Sequence, residues 1–169
     1  MKINIGGKKS KEGWKILNIQ KLNDVDFVGD IKDLSQFTNN SVEAIYASHV
    51  LEHVDQKNIS NTLKGVHRVL SNGGKFYISV PDMDVLCHFF ISPLSNQKIK
   101  FHVMRMIFGG QTDEFDYHYF GWNFEFMKNF LEVAGFSNIE KVQSLGLFDD
   151  TSDYKPYGFP ISLNVIATK

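Results

Sequence analysis

Cysteine is almost missing: Cys87 stands alone among 169 residues, which excludes an intramolecular disulfide. No apolar run approaches the roughly 20 residues that a membrane helix needs. The start, MKINIGGKKSKEGW, lacks the long apolar core of a signal peptide. These absences predict a cytoplasmic protein with no membrane contact. Charge of one sign is missing too. With 18 basic against 19 acidic residues and a net charge of -1, there is no broad cationic field to drive phosphate binding, and nucleic acid is not expected as a partner. Repeats, low-complexity tracts and Pro- or Ser-rich linkers are absent as well, so a single domain over residues 1–169 is expected. A chain of this length buries roughly two thirds of its unfolded surface and can fold alone.

Aromatics, by contrast, are abundant. Fifteen Phe concentrate after residue 88, in FHVMRMIF and EFDYHYFGWNFEFMKNF. Core packing is their first use, with a cavity wall or a subunit contact as the functional alternative. Residues 88–122 read as an insertion on the substrate side.

The pattern along the chain alternates strand with helix. Strands are expected at Lys2–Ile5, Trp14–Ile19, Asp26–Val28, Val42–Ser48, Lys75–Val80, Ile139–Val142 and Leu163–Ala167. Helices are expected at 57–70, from Asp82 to about Phe90, at 97–108 and at Asn123–Ala134. Such alternation predicts an α/β, Rossmann-like, doubly wound and mostly parallel sheet with an antiparallel C-terminal edge pair. Only the eight residues Gly6–Gly13 connect the first two strands, short for a parallel crossover. The first helix is therefore expected to be missing, shortening the fold on its N-terminal side. The sheet face left bare needs a cover, either the Phe-rich segment or a second subunit, which favours a homodimer.

A glycine turn after the first strand is where doubly wound sheets bind nucleotides. IGGKKSKEG lacks the G-x-G-x-x-G pattern, and no helix N-terminus follows to hold a pyrophosphate. A dinucleotide is a poor fit, and a sulfonium nucleoside without phosphate a better one.

Several stretches together resemble the class I S-adenosylmethionine-dependent methyltransferases, in particular a small branch known as predicted methyltransferases, similar to methyltransferase type 11. The carriers are INIGG with GWKILNI, VGDIKDLSQFTNNSVEAIYASHVLEHV, LKGVHRVLSNGGKFYISVPD and EVAGFSNIEKV, spread over nearly the whole chain. The resemblance implies S-adenosylmethionine as cofactor. It implies that Ile5, Gly6 and Gly7 form the cofactor loop, with Lys8 where the family commonly has glycine. It puts Asn18 where an acidic residue usually grips the ribose, Asp30 near the adenine amine, Ile31 on the adenine ring, and Ser48 and His49 beside the methyl donor. On the residues alone, Asp30 and Asn18 equally suit turn or cap duties, and Ser48 and His49 suit buried, locally bonded positions.

HVLEH, His49–His53, fits the H-x-x-E-H pattern of inverted zinc proteases. It follows directly on a strand and is cut by Asp55-Gln56, so it cannot occupy the middle of a long helix, and no metal is expected. Methyl transfer needs alignment and exclusion of water more than covalent help, with a base only for protonated nucleophiles. Asp116 and His118 in DEFDYHYFGWN are the candidates, ahead of His102, Arg105 and Tyr117. The expected reaction is methyl transfer to an O or N nucleophile on a small molecule or a glycan intermediate. The alternative is a methyltransferase-like binding or assembly protein without turnover, suggested by Lys8 and Asn18.

Overall fold

The computed structural model describes residues 1–169. Its elements in chain order are β1 (Lys2–Ile5), β2 (Trp14–Asn18), β3 (Phe27–Val28), β4 (Val42–Ser48), α1 (Gln56–Val69), β5 (Leu70–Pro81), α2 (Met83–Ile91), α3 (Gln97–Phe108), α4 (Phe124–Val133), β6 (Ser137–Val142) and β7 (Ser162–Thr168). Short 3-10 turns lie at Leu51–His53 and Thr151–Asp153. Side chains start three of the helices. Asp82 accepts from the Asp84 amide, Asn96 from Ile99 and Asn123 from Phe126, each satisfying an amide that the helix leaves without a partner.

One seven-stranded sheet has the order β3-β2-β1-β4-β5-β7-β6. The first five strands are parallel, and β7 runs antiparallel to β5 and β6. This is the expected Rossmann-like arrangement with an antiparallel edge pair. Two boundaries move. β2 stops at Asn18, leaving Ile19 44% exposed beyond it. β5 begins directly at Leu70, because Val42 pairs with Leu70 and Ala44 with Lys75, so that Ser71–Gly74 bulge out of the ladder instead of forming a separate stop.

The register divides the sheet into two unlike faces. Ile3, Ile45, Phe76 and Ala167 lie side by side, and Ile5, Ala47, Ile78 and Val165 form the next row. They join Ile59, Leu63 and Val66 of α1 and Met127 and Leu131 of α4 in one continuous apolar core. The opposite face is polar. Asn4 pairs with Tyr46, and Ser48 with Ser79, which pairs with Asn164; Asn4, Tyr46, Ser79, Ser162 and Asn164 are all buried.

No helix covers that polar face. As expected, the Gly6–Gly13 connection is coil, and so is 19–26. The cover differs from the expectation: it is neither the 88–122 segment nor a second chain but residues 143–161. Phe148 packs 4.5 Å from the Tyr46 ring and 5.3 Å from Trp14. The Tyr46 hydroxyl donates to Asp150 Oδ2 at 2.8 Å. Asn164 Nδ2 donates to the carbonyls of Gln143 (3.2 Å) and Ser152 (3.0 Å), and Ser162 Oγ to that of Thr151 (3.0 Å). A polar face can be closed by hydrogen bonds from irregular chain, whereas an apolar one needs a helix's apolar stripe. The chain is thus doubly wound in strand order and helical on one face.

The 88–122 region forms an α2–α3 hairpin with its own small core of Leu86, Val103 and Ile161. It then returns across the carboxyl end of the sheet, where the Met83 amide bonds to the Trp122 carbonyl at 2.8 Å.

Candidate active site

The strand order reverses between β1 and β4, and in open α/β sheets ligands bind outside the carboxyl ends of the strands at such a reversal. A cleft of about 620 Å³ opens there. Its floor comes from strand ends and the turns after them: Ile5, Gly6, Leu17, Asn18, Asp30, Ile31, His49 and Val50. Its outer wall is Thr112–Asp116 with Tyr119, and Lys8, Gln20 and His53 complete the rim. Of the residues expected to hold the cofactor, the structure gathers Ile5, Gly6, Asn18, Asp30, Ile31 and His49 along this cleft. Gly7 and Ser48 do not line it; Ser48 lies on the polar face of the sheet, beside Ser79.

Gly6 sits at φ +79°, where a Cβ would stand 2.8 Å from Val50 Cγ2, so the turn closes on β4 only without a side chain. Asn18, 6% exposed, braces that turn. Its Nδ2 donates to the Gly7 carbonyl at 2.9 Å, and its Oδ1 accepts the Gln20 amide at 2.9 Å. Both ends of the amide are therefore committed to the protein. Asp30 makes a local turn, accepting the Lys32 amide at 2.9 Å, with Lys32 Nζ 3.1 Å from its other oxygen. Ile31 is buried beneath it.

His49, directly after β4, adopts the left-handed φ of +53°. Nε2 lies 3.1 Å from Ser162 Oγ and Nδ1 3.2 Å from Glu52 Oε1. Burial disfavours the charged ring, but the Glu52 carboxylate outweighs it and raises the His49 pKa. Burial likewise opposes ionisation of Glu52, yet His49 and then the more distant His53 and His118 hold its carboxyl below the usual range. Neither Glu52 oxygen has a partner at hydrogen-bonding geometry, so the 3.2 Å approach is an ionic contact.

Asp116 lines the cleft, but its Oδ2 accepts from Thr112 Oγ1 (2.9 Å) and the Thr112 amide (3.3 Å). Although burial acts the other way, these bonds lower its pKa, and it ties its own loop together. His118 does not line the cleft. It stands behind His53, the rings edge to face at 4.8 Å, with burial pushing its pKa down. His102 bonds to the Tyr157 hydroxyl, away from the cleft, at 2.5 Å. Arg105 and the Tyr117 side chain are not part of the cleft, although the Tyr117 carbonyl accepts from His53. Among the cleft-lining residues that the sequence did not single out are His53, Gln20, Asp113, Glu114 and Tyr119. The outer wall arrives by a chain reversal with no periodic pattern to announce it.

Residues 7–78 match the family model of the methyltransferase domain. Over the whole chain, a SAM-dependent methyltransferase from Archaeoglobus fulgidus superposes with a TM-score of 0.61 at 16% identity, covering 99% of this chain and 85% of the other. The fold is that of the class I S-adenosylmethionine-dependent methyltransferases. A second structure with this methyltransferase fold, from Thermotoga maritima, superposes with a TM-score of 0.63 at 16% identity, covering 99% of this chain and 81% of the other. A third is the 1,6-didemethyltoxoflavin-N1-methyltransferase of Burkholderia thailandensis with bound S-adenosylhomocysteine, at a TM-score of 0.61 and 12% identity, with 99% and 70% of the chains covered. No curated protein matches the sequence. The methyltransferase-domain match ends at Ile78, in β5, so the α2–α3 hairpin and the outer wall lie beyond it.

Proposed function

We propose that the protein transfers a methyl group from S-adenosylmethionine, bound in the cleft, to an O or N nucleophile on a small molecule or a glycan intermediate. The observation that carries this reading is the cleft itself, at the carboxyl ends of β1, β2 and β4 and floored, apart from Ile5 and Gly6, by the segment that matches the methyltransferase domain. Its size falls in the range of small-molecule sites, about 300–1,000 Å³. Its chemistry suits a nucleoside with an amino-acid arm. Leu17 and Ile31 offer apolar surface to the adenine, with Asp30 at its amine. Lys8 beside Gly6 offers a cation to the carboxylate, and Asp113, Glu114 and Asp116 face the ammonium and sulfonium with negative charge. Bound there, the cofactor supplies an electrophilic methyl group. The protein's part is to hold the acceptor in line and keep water out.

Of the two acid–base candidates, Asp116 holds its loop. The proton of an O–H or N–H acceptor falls to the histidine side of the wall, where His118 backs His53. The apolar side chains exposed on the α2–α3 hairpin, Ile91 at 75% and Leu94 at 91%, support a homodimer. No helix is long and apolar enough to cross a membrane. We further propose a cytoplasmic location and, from the near-balanced charge, no nucleic-acid partner.

Calorimetric titration with S-adenosylmethionine and S-adenosylhomocysteine tests the reading. Binding of both is expected, weakened at least tenfold by Asp30→Ala; no binding below about millimolar, a ceiling near 4 kcal/mol, would defeat it. A second reading, cofactor binding without turnover, is favoured by Asn18, whose amide is already committed to Gly7 and Gln20. Binding with no methyl transfer to any component of a cell extract supports that one.

A further inference from the structure

Behind the outer wall, Glu52, His53 and His118 converge, with one ligating atom of each within 4.8 Å of the others. Glu52 is 1% exposed. One carboxylate oxygen faces His49, and neither has a hydrogen bond. A carboxylate removed from water needs compensation that a single ionic contact provides only in part.

The two rings are held in a definite sense. His53 Nδ1 lies 3.0 Å from the Tyr117 carbonyl, and His118 Nδ1 lies 3.0 Å from the Met106 carbonyl. A carbonyl only accepts, so in each ring Nδ1 carries the proton, and the neutral ring keeps its lone pair on Nε2. A backbone carbonyl fixing Nδ1–H is the arrangement that orients a histidine for metal binding through its other nitrogen. Two histidines and one carboxylate form a known ligand set for zinc and for other divalent transition ions with an open coordination position.

We infer that Glu52, His53 and His118 form a binding site for one divalent transition-metal ion of the zinc class, on the wall of the cleft. The sequence reading set aside a protease-like pair of His49 and His53 on one helix. The convergence here is different: His49 stays on Ser162 and Glu52, and the second imidazole comes from a distant loop. Metal–nitrogen bonds of about 2.0–2.1 Å place tetrahedral ligands about 3.4 Å apart, so separations that lie within 4.8 Å close by at most about 1.4 Å on the ion. His53 lines the cleft, which puts the fourth position within reach of the acceptor. A ring bound to a cation has no lone pair left for a proton. In the loaded protein the metal, rather than a free imidazole, therefore activates the acceptor.

Metal-free protein titrated with Co(II), without any S-adenosylmethionine, tests this. The expected result is saturation at one equivalent, with visible absorption bands of a four- or five-coordinate ion that Zn(II) abolishes by competition. His118→Ala weakens binding at least the 10–100-fold seen for lesser perturbations of metal sites. In the unaltered protein, Zn(II) shifts the 15N resonances of both Nε2 atoms, a readout that does not depend on a variant folding. No Co(II) bands up to millimolar metal, or equal binding by a folded His118→Ala variant, overturns the inference. Cofactor titration of the same metal-free protein is a separate measurement, so the failure of either reading leaves the other standing.

Discussion

Asn18 shows how one side chain changes the character of the cofactor turn. Its amide joins the end of β2 to the Gly7 carbonyl and to the Gln20 amide, a brace that a carboxylate cannot reproduce, having no donor for a carbonyl. Asn18→Asp therefore leaves the Gly7 carbonyl facing negative charge. A loss of about 1–3 kcal/mol, the usual cost of a broken buried hydrogen bond, is expected in urea unfolding. Gly6→Ala acts at the same turn through the backbone. At φ +79°, with Val50 Cγ2 only 2.8 Å from the new methyl group, a loss above the about 1 kcal/mol typical of an incompatible conformation is expected, and with it weaker nucleoside binding in the calorimeter. The positions of Gly6, Asn18 and Asp30 were readable in the sequence because they follow apolar runs at the ends of strands. What Asn18 bonds to was not, since its partners are backbone groups whose approach depends on how the turn closes.

At the scale of elements, α1 meets the turn between α4 and β6 where the His67 ring stands edge to face on Phe136, 5.1 Å between centroids. Burial, and after it the nearby Lys169 ammonium, lower the pKa of His67. A histidine with a depressed folded pKa contributes its full stability above its unfolded value, near 6.5, and loses it as the pH falls. Melting temperature should thus drop more steeply between pH 7.5 and 5.5 in the natural protein than in His67→Gln. An equal slope in both refutes the assignment. The opposite end of α4 depends on Asn123, whose side chain accepts the Phe126 amide at 2.9 Å. Asn123→Ala should cost about 1 kcal/mol, seen as a lower denaturation midpoint with an unchanged slope. Helices of this kind were legible from apolar spacing and cap residues. The meeting of His53 with His118 was not, because His53 ends a single 3-10 turn and His118 stands on irregular chain, where no period links sequence to space.

For the whole molecule, the two faces of the sheet explain both what was legible and what was hidden. β1 and β4 were marked out to the residue because their apolar positions feed one core. The 143–161 cover carries no periodic signal, since it closes a polar surface with backbone carbonyls, Asp150 and a few aromatic rings. Phe148 is its anchor against Trp14 and Tyr46. Phe148→Ala should cost about 2 kcal/mol, below the 3–5 of a fully buried phenylalanine, and should speed proteolysis within 143–161 more than elsewhere. Lifting that cover would wet serines, asparagines and a tyrosine hydroxyl, together with Ile16 and the rings of Trp14, Tyr46 and Phe148. The opened form would keep its helix-covered core dry and expose a face that is polar apart from those few groups. Opening of the cover is therefore expected as a partial unfolding, with a denaturant dependence much shallower than that of global unfolding.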